Sequence, residues 1–293
     1  MNIVDSQQYR AFMQSYPLLS FSSASKTLYY HQVHPKNSKT NSEALIFIPG
    51  AASKASSFYA LAQSLVGLSY NSYLLEIPSV EDHTSFVALV SEFINRQRLR
   101  KVHLVGASLG AFLGFYLASQ RPYKIASIFS INGFLDTHHY YNNRPFMGFY
   151  GMLPASVLRN FFLECLPDET QLKPEVYKEV LGGIDFLAES IRELERKDLI
   201  CRLKLATQDN VVSTVPEVPI AGVYSCAFQS VPMFLQRELV KRFSDNYITP
   251  LQYPFPYLSS PNDVLLYLIP HLRRADYDPN RDLRLSGSTE SEE

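Results

Sequence analysis

The residues best suited to chemistry form the segment 106–110, GASLG, which has the spacing G-x-S-x-G. The apolar run at 102–105 predicts a strand before it, and residues 109–119 predict a buried helix after it. A serine on such a strand-to-helix turn stands in a strained conformation with its hydroxyl exposed, and the two glycines let neighbouring backbone approach closely. The pattern predicts Ser108 as a nucleophile, while the alternative is a tight turn whose serine has no chemical role.

Backbone N–H groups beside Ser108 are candidates for holding a negatively charged oxygen. The N–H of Leu109 lies at the start of the predicted helix and points towards the same spot as the serine hydroxyl. A second donor is expected from the loop after the strand at 44–48, where the sequence PGAA covers 49–52. We therefore predict Ala51 and Leu109 as oxyanion-type backbone donors.

Positioning such a site requires a sheet, and the chain has the pattern of one. Short apolar runs that end at glycine or proline alternate with segments of helical periodicity, and Asp82 is placed to cap one of these helices. This order predicts an α/β protein with a mostly parallel central sheet and flanking helices. The predicted strands cover residues 26–33, 44–48, 72–77, 102–105, 125–131, 218–224 and 247–251. The predicted helices cover residues 56–66, 86–94, 109–119, 231–243 and 262–272.

Three segments lie outside this alternation and set the predicted domain boundaries. Residues 1–25 show no clear period and predict an irregular lead-in. Residues 134–206 are aromatic first and helical later, which predicts a helical cap inserted into a domain spanning 26–274. Residues 275–293 are acidic and poor in apolar residues, so we predict a disordered tail.

Composition excludes several functional classes. The net charge is −1, with dispersed lysine and arginine, which argues against nucleic acid as a partner. No phosphate-binding glycine motif and no metal-ligand spacing are present, so we predict neither a cofactor nor a metal. The scattered cysteines Cys165, Cys201 and Cys226 favour a reducing compartment. We predict no signal peptide and no transmembrane segment, because the uncharged stretch at 102–120 is better explained by a strand, a turn and a helix.

Four motifs carry a resemblance to a known family: LIFIPG at 45–50, SYLLEIPSVEDHTSF at 72–86, KVHLVGASLGAFL at 101–113 and FPYLSSPNDVLLYLIPHL at 255–272. The chain resembles the maspardin family, an acidic-cluster-binding branch of the α/β-hydrolase superfamily. The likeness runs from about residue 26 to about residue 274 and is loosest in the cap. It implies an α/β-hydrolase core with a helical cap, in a cytoplasmic protein that associates peripherally with endosomal and trans-Golgi membranes. It also implies a binding or adaptor role without an established substrate.

A working member of that superfamily needs a serine, an acid and a histidine in this chain order. The acid is expected after the strand at 218–224, where Ser225 stands instead of a carboxylate. The histidine is expected after the last strand, where Pro254 stands and supplies no base. The resemblance implies that the family also lacks this histidine, and the chain departs further by lacking the acid. We predict that both triad positions are degenerate and that Ser108 is a vestigial nucleophile.

Three other residues are candidate surrogates for the missing acid and base. His83, beside Asp82, belongs to a loop at the functional edge of the sheet, and its alternative is an exposed histidine in the first turn of a helix. Asp136 follows the strand at 125–131, and its alternative is a loop or capping aspartate. His138 follows closely, in an aromatic segment that either lines the cap entrance or lies on the surface.

These observations leave three functional hypotheses. The first is a non-catalytic binding or adaptor protein with a protein partner, for which the aromatic segment 140–150 is a candidate surface. The alternative for this segment is that it forms the underside of the cap and packs on the core. The second is a weak serine esterase that uses Ser108 with Asp136 as a relocated acid and His83 or His138 as the base. The third is a carrier of a small apolar ligand in the former acyl pocket.

Overall fold

The computed structural model of the chain describes residues 2–23, 26–35, 43–121, 124–143, 147–167, 174–215, 217–226, 231–243 and 247–276. Its strands are β1 Leu18–Ser23, β2 Lys26–Val33, β3 Glu43–Ile48, β4 Ser72–Leu75, β5 Lys101–Ala107, β6 Ile125–Ile131, β7 Ile220–Ser225 and β8 Tyr247–Leu251. They form one sheet with the order β1-β2-β4-β3-β5-β6-β7-β8. β2 pairs antiparallel with both β1 and β4, and every other neighbouring pair is parallel. The predicted mostly parallel sheet is confirmed.

Helices connect the strands. In chain order they are α1 Gln7–Ser15, α2 Tyr59–Val66, α3 His83–Arg96, α4 Leu109–Gln120, α5 His138–Asn142, α6 Ala155–Leu163, α7 Pro174–Glu193, α8 Arg196–Thr207, α9 Met233–Arg242, α10 Pro256–Ser259 and α11 Pro261–Asp276. The side chain of Asp82 accepts a hydrogen bond from the Ser85 N–H at 2.7 Å and so caps α3, as predicted.

Both faces of the sheet are covered, which explains why its central strands are continuous apolar runs. Alternate residues of a strand point to opposite faces. Ile46 packs in a cluster with Phe86 of α3 and Phe112 of α4. Its neighbour Phe47 packs on the other face with side chains of α2 and α11, among them Leu61. The sheet therefore carries two apolar cores, and its carboxyl edge is left for a site.

The prediction of an irregular lead-in over residues 1–25 was wrong. Ser6 caps α1 by accepting from the Tyr9 N–H at 3.1 Å. Tyr9 and Phe12, three positions apart, are both buried in the core. β1 then pairs with β2 along its whole length. Long-range packing stabilises these elements, and local periodicity gave no sign of it.

The interval between β6 and β7 is helical and contains α5, α6, α7 and α8, which we call the cap helices. Side chains from these helices form a small apolar cluster of their own that includes Leu158, Phe162, Ile191 and Leu203. The boundaries proposed for the cap insertion and for the domain stay predictions. α11 continues to Asp276, and residues 277–293 of the predicted disordered tail lie outside the described residues. None of the described helices is both long enough and apolar enough to cross a membrane.

Candidate functional site

Ser108 stands at the turn between β5 and α4, at the carboxyl edge of the sheet. Its backbone has φ 50° and ψ −117°, a conformation that side-chain-bearing residues rarely adopt. The Ser108 N–H donates to the carbonyl oxygen of Ile131 on β6 at 2.8 Å, which holds the turn against the next strand. The strained turn expected for a nucleophile elbow is present.

The motif needs glycine at positions 106 and 110 because a side chain would not fit at either one. A Cβ at Gly106 would lie 2.4 Å from the Cα of Ala111. A Cβ at Gly110 would lie 2.0 Å from the carbonyl oxygen of Ile48 on β3. Helix α4 therefore packs directly on the sheet backbone, and this close approach places its first residues beside Ser108.

A cavity of about 130 Å³ opens beside Ser108, between the carboxyl edge of the sheet and the cap helices. Most of its wall is apolar, and the described lining contains no histidine, aspartate, glutamate, lysine or arginine. The residues that line it are Gly50, Ala51, Ala52, Ser53, Ala107, Ser108, Leu109, Ile131, Asn132, Phe134, Tyr140, Phe161, Phe162, Cys165, Leu166, Leu187, Leu203, Ala206, Thr207, Phe255 and Tyr257. Within the described part of the chain, the Ser108 hydroxyl makes no hydrogen bond.

Two backbone N–H groups of the cavity wall have no hydrogen-bond acceptor among the described residues. Leu109 is the first residue of α4, where an N–H has no partner within the helix. Neither its N–H nor that of Ala51 donates to another group among the described residues. Both residues line the cavity with Ser108. Their predicted role as oxyanion-type donors is compatible with this placement and stays a prediction.

Arg202 of α8 holds the loop that carries Ala51. Its Nη1 donates to the carbonyl oxygens of Ala51 at 3.0 Å and Ser53 at 2.5 Å. Its Nη2 lies 3.3 Å from a carboxylate oxygen of Glu76, whose other oxygen accepts from the Ala55 N–H at 2.8 Å. Burial lowers the pKa of the Arg202 guanidinium, and the Glu76 carboxylate opposes this shift. The loop carbonyls are thus drawn towards a buried cation on a cap helix.

The two positions predicted to be degenerate lie beside the strands where the sequence places them, and their role stays a prediction. Ser225 ends β7, and its N–H donates to the side-chain oxygen of Asn132 at 2.6 Å. Pro254 follows β8, and its carbonyl oxygen accepts from the Ser259 hydroxyl at 2.6 Å. Neither residue offers a carboxylate or an imidazole.

Residues next to these two positions line the cavity in their place. Asn132, with φ 51°, lines it from the end of β6. Phe255, with φ 49°, and Tyr257 line it from the segment that begins α10. Burial raises the pKa of Tyr257 to about 12, and the nearby Ser53 hydroxyl has a smaller, opposite effect.

Sequence comparison identifies the relatives of this chain. A family model described as alpha/beta hydrolase fold matches residues 43–183. Maspardin of Homo sapiens is 26% identical over 234 residues, which cover 78% of this chain and 74% of that protein. Maspardin of Danio rerio is 26% identical over 236 residues, with the same coverage of both chains. The chain is similar to maspardins and has the α/β-hydrolase fold.

Solved structures agree on the fold of this maspardin-like chain. A hydrolase from Pseudomonas aeruginosa PA01 superposes with a TM-score of 0.68 at 13% identity, covering 87% of this chain and 98% of that one. An enol-lactonase from Burkholderia xenovorans LB400 superposes with a TM-score of 0.71 at 9% identity, covering 87% of this chain and 100% of that one. At these identities the likeness concerns the fold alone.

His83 of the maspardin-like chain is not placed to act as a base. Its Nε2 donates to the carbonyl oxygen of Leu205 at 2.7 Å, and its Nδ1 lies 3.1 Å from the side-chain nitrogen of Asn210. The imidazole is fully buried against the rings of Phe112 and Tyr116 and lies outside the cavity lining. Both ring nitrogens are occupied, so the surrogate role is disfavoured, and the alternative of an exposed histidine was wrong. The ring is buried because it contacts Leu205 and Asn210, at and after the end of α8 and more than 120 residues away in the chain.

Asp136 and His138 also lie outside the cavity lining. Asp136 accepts from the His138 N–H at 2.6 Å, which agrees with a local turn-capping role. The His138 ring is half exposed, with Nδ1 3.0 Å from a carboxylate oxygen of Asp209. Local and surface contacts occupy both side chains, which weakens their candidacy as a relocated acid and base.

The aromatic segment 140–150 divides between the interior and the surface. Tyr140 lines the cavity and packs on Phe134, with ring centroids 5.2 Å apart. Tyr150 is buried, whereas Tyr141 is 41% and Phe149 58% exposed. Residues 144–146 of this segment lie outside the described residues. Both sequence interpretations, packing under the cap and an open surface, apply to different residues of the segment.

Sequence reasoning missed three polar residues at the site. Tyr257 belongs to the FPYL motif that carried the family resemblance, and that motif was the available signal. Asn132 directly follows β6, and the hydrogen bond that its side-chain oxygen accepts from the Ser225 N–H is a long-range contact. Arg202 is flanked in α8 by the apolar residues Cys201 and Leu203, a pattern that could have indicated a buried charge.

Proposed function

We propose that this maspardin-like chain is a non-catalytic binding protein that keeps the hydrolase framework without the triad. The observation that carries the proposal is the cavity beside Ser108, whose described lining has neither an acid nor a base. Ser225 and Pro254 at the two triad positions support it. Ser108, Ala51 and Leu109 are then retained parts of an elbow that no longer turns over substrate.

The size of the rate loss expected without an acid and a base supports a non-catalytic role. A positioned general base accelerates a reaction by about 10² to 10⁴. An enzyme stripped of its triad keeps only about 10³ to 10⁴ over water, from its oxyanion donors and from binding. A lone Ser108 would thus be a poor nucleophile at neutral pH, because a serine hydroxyl needs a neighbouring base to be activated.

A fluorophosphonate probe tests the proposal directly. Purified protein is treated with the probe beside a Ser108→Ala control, and adduct mass and ester turnover are measured. We expect no adduct and no turnover in a sample that circular dichroism shows to be folded. Stoichiometric labelling that disappears in Ser108→Ala would overturn the proposal in favour of the weak-esterase hypothesis.

The binding function that we propose is that of an adaptor with a protein partner on endosomal or trans-Golgi membranes. Similarity to maspardins and the exposed aromatic residues Tyr141 and Phe149 support it, since aromatic side chains are enriched at interfaces. Fluorescence microscopy of the tagged full chain, combined with proximity labelling, tests the location. A Tyr141→Ser/Phe149→Ser variant should lose the labelled partners, and uniform cytoplasmic staining without enriched neighbours would contradict the adaptor role.

A second candidate function is that of a carrier for a small apolar ligand. The cavity beneath the cap favours it, because its wall is mostly apolar and side chains do not fill it. Ala206→Leu should fill the cavity and abolish binding of an apolar fluorescent probe. Ala155→Leu, at another half-buried alanine of a cap helix outside the cavity lining, is the matched control.

A further inference from the structure

A second cleft, of about 250 Å³, lies between α1, the hairpin of β1 and β2, and α8. It shares no described lining residue with the cavity beside Ser108. Charged side chains of both signs line this second cleft, and they are Lys54, Arg202, Glu76 and Asp198. The cleft therefore differs in chemistry from the cavity, whose described lining carries no charged side chain.

The two cations of the second cleft lie close enough to influence each other. Burial lowers the pKa of the Lys54 ammonium, two nearby carboxylates oppose this shift, and the charge of Arg202 adds to it. Arg202 is 2% exposed, and its Nε–H finds no acceptor among the described residues, although both other nitrogens of the guanidinium donate. Buried donors are normally paired, and a carboxylate between two cations would satisfy both of them.

The two carboxylates of the cleft differ in how far they are already bound. Both oxygens of Glu76 accept hydrogen bonds, one from the Ala55 N–H at 2.8 Å and the other from the Arg202 guanidinium at 3.3 Å. The Ser79 hydroxyl donates to one oxygen of Asp198, and the other oxygen has no partner among the described residues. Asp198 is therefore the carboxylate that can accept from a ligand ammonium.

An apolar rim adjoins these charges. Met13 of α1, Leu18 of β1 and Tyr29 of β2 all line the cleft, and each is more than a third exposed. Large apolar side chains that stay exposed beside a charged cluster suit a ligand that has a charged head and a short apolar side chain.

We infer that the second cleft binds a free apolar α-amino acid, with its carboxylate facing Lys54 and Arg202, its ammonium facing Asp198 and its side chain on Leu18 and Tyr29. A simple anion would meet the Asp198 carboxylate, and a simple cation would meet the two cations. A partly buried charge without an opposite charge is costly, so a ligand that carries both signs is favoured. The inference goes beyond the proposed function and does not depend on it.

Calorimetric titration of the full chain with L-leucine, L-methionine and L-phenylalanine tests the inference. We expect saturable binding of one L-leucine per chain. 4-Methylpentanoate lacks the ammonium of leucine and 3-methylbutylamine lacks its carboxylate, so each should bind at least about tenfold more weakly. Absence of saturable binding by all three amino acids to folded protein would overturn the inference, as would equal affinity for L-leucine and either analogue.

Lys54→Met tests the contact with the carboxylate. The variant keeps the length of the side chain and removes its charge, so it should weaken L-leucine about tenfold and leave 3-methylbutylamine unchanged. Lys204→Met is the matched control, because Lys204 also pairs with a more exposed glutamate and lies outside the described lining of the cleft. Circular dichroism verifies that both variants fold. Equal L-leucine affinity in the two variants would overturn the assigned contact.

Two adjacent leucines of β1 test where the ligand side chain lies. Leu18 and Leu19 point to opposite faces of the strand, and of the two Leu18 lines the cleft. Leu18→Ser should weaken L-leucine at least about threefold through lost apolar contact, whereas Leu19→Ser should bind like the wild type. Equal affinities in these two variants would contradict the assigned position.

A last variant separates the cleft from the cavity beside Ser108. Ala206→Leu, which fills that cavity, should leave L-leucine binding unchanged, because Ala206 lies outside the described lining of the cleft. Loss of L-leucine binding in Ala206→Leu would place the ligand in the cavity and overturn the inference. The proposed non-catalytic function is judged separately, by fluorophosphonate labelling of Ser108.

Discussion

The guanidinium of Arg202 lies 3.0 Å from the carbonyl oxygen of Ala51 and connects a cap helix to the loop beside Ser108. The two residues are 151 positions apart in the chain. Glu76, at the end of β4, completes the contact by pairing with the same guanidinium. The cap and the carboxyl edge of the sheet are thus joined by a buried ion pair at the candidate site.

Breaking this ion pair should be costly. Arg202→Met leaves Glu76 partly buried without its cation, and we expect a loss of about 3 kcal/mol in the free energy of unfolding by urea. The double variant Arg202→Met/Glu76→Gln should recover part of that loss. Lys204 lies on the same helix as Arg202 and forms a more exposed ion pair with Glu81. Lys204→Ala should therefore cost less than about 1 kcal/mol. Equal losses in Arg202→Met and Lys204→Ala would contradict the buried connection.

Replacing two glycines of α4 by alanine should change the stability of the fold in opposite directions. A Cβ at Gly110 meets the Ile48 carbonyl oxygen at 2.0 Å, so Gly110→Ala should cost about 3 kcal/mol or more, or prevent folding. A Cβ at Gly114 meets side chains only at 3.9 Å, and Gly114→Ala should stabilise by up to about 1 kcal/mol through helix propensity. Thermal unfolding of both variants gives the comparison, and a tolerated Gly110→Ala would refute the close approach.

The strain at Ser108 should be measurable by comparing glycine with alanine. Alanine keeps the Cβ at φ 50°, whereas glycine relieves it, so Ser108→Gly should be more stable than Ser108→Ala by about 1 kcal/mol. At Ser119, within the helix α4 that follows Ser108, the usual order should hold, with glycine less stable than alanine by about 1 kcal/mol. Chemical denaturation of the four variants measures these differences. The same order of stability for glycine and alanine at both positions would argue against strain at the elbow.

Restoring the triad should restore some catalysis if its loss explains inactivity. Ser225→Asp and Pro254→His together should raise hydrolysis of p-nitrophenyl acetate about 10²-fold over the wild type, the low end of general-base catalysis. Each single variant should remain near the wild-type rate, since the base and its orienting acid act as a unit. Adding Ser108→Ala to the double variant should abolish the gain. Substantial turnover by the wild type would contradict the interpretation.

Acidification should destabilise the fold through its buried histidines. Burial lowers the pKa of His31 and of His83, with smaller opposing contributions from backbone hydrogen bonds. The unfolded chain then binds more protons, so stability is complete above about pH 6.5 and falls as the pH drops towards the lower folded values. His31→Gln/His83→Gln should lose less stability than the wild type between about pH 7.5 and 5.5. Urea denaturation measures both slopes, and identical slopes would remove these residues as the cause.

Local patterns predicted much of the fold. The apolar runs that became β3 to β6 and the cap of α3 by Asp82 depend on residues a few positions apart, and they appear as predicted. The lead-in was predicted poorly because α1 and β1 are held by contacts with β2 and the core. The interior position of His83 was missed for the same reason, since its partners Leu205 and Asn210 are distant in sequence.

The sequence alone determined the strand-helix alternation, the G-x-S-x-G turn and the identities of Ser225 and Pro254 at the positions predicted to be degenerate. Periodicity, turn chemistry and residue type are local properties, so they can be read along the chain. Only the tertiary structure decided that Tyr257 and Asn132 line the cavity and that Arg202 donates a hydrogen bond to the loop of Ala51. These relationships arise where distant elements meet at the carboxyl edge of the sheet, and their geometry depends on how the whole chain packs.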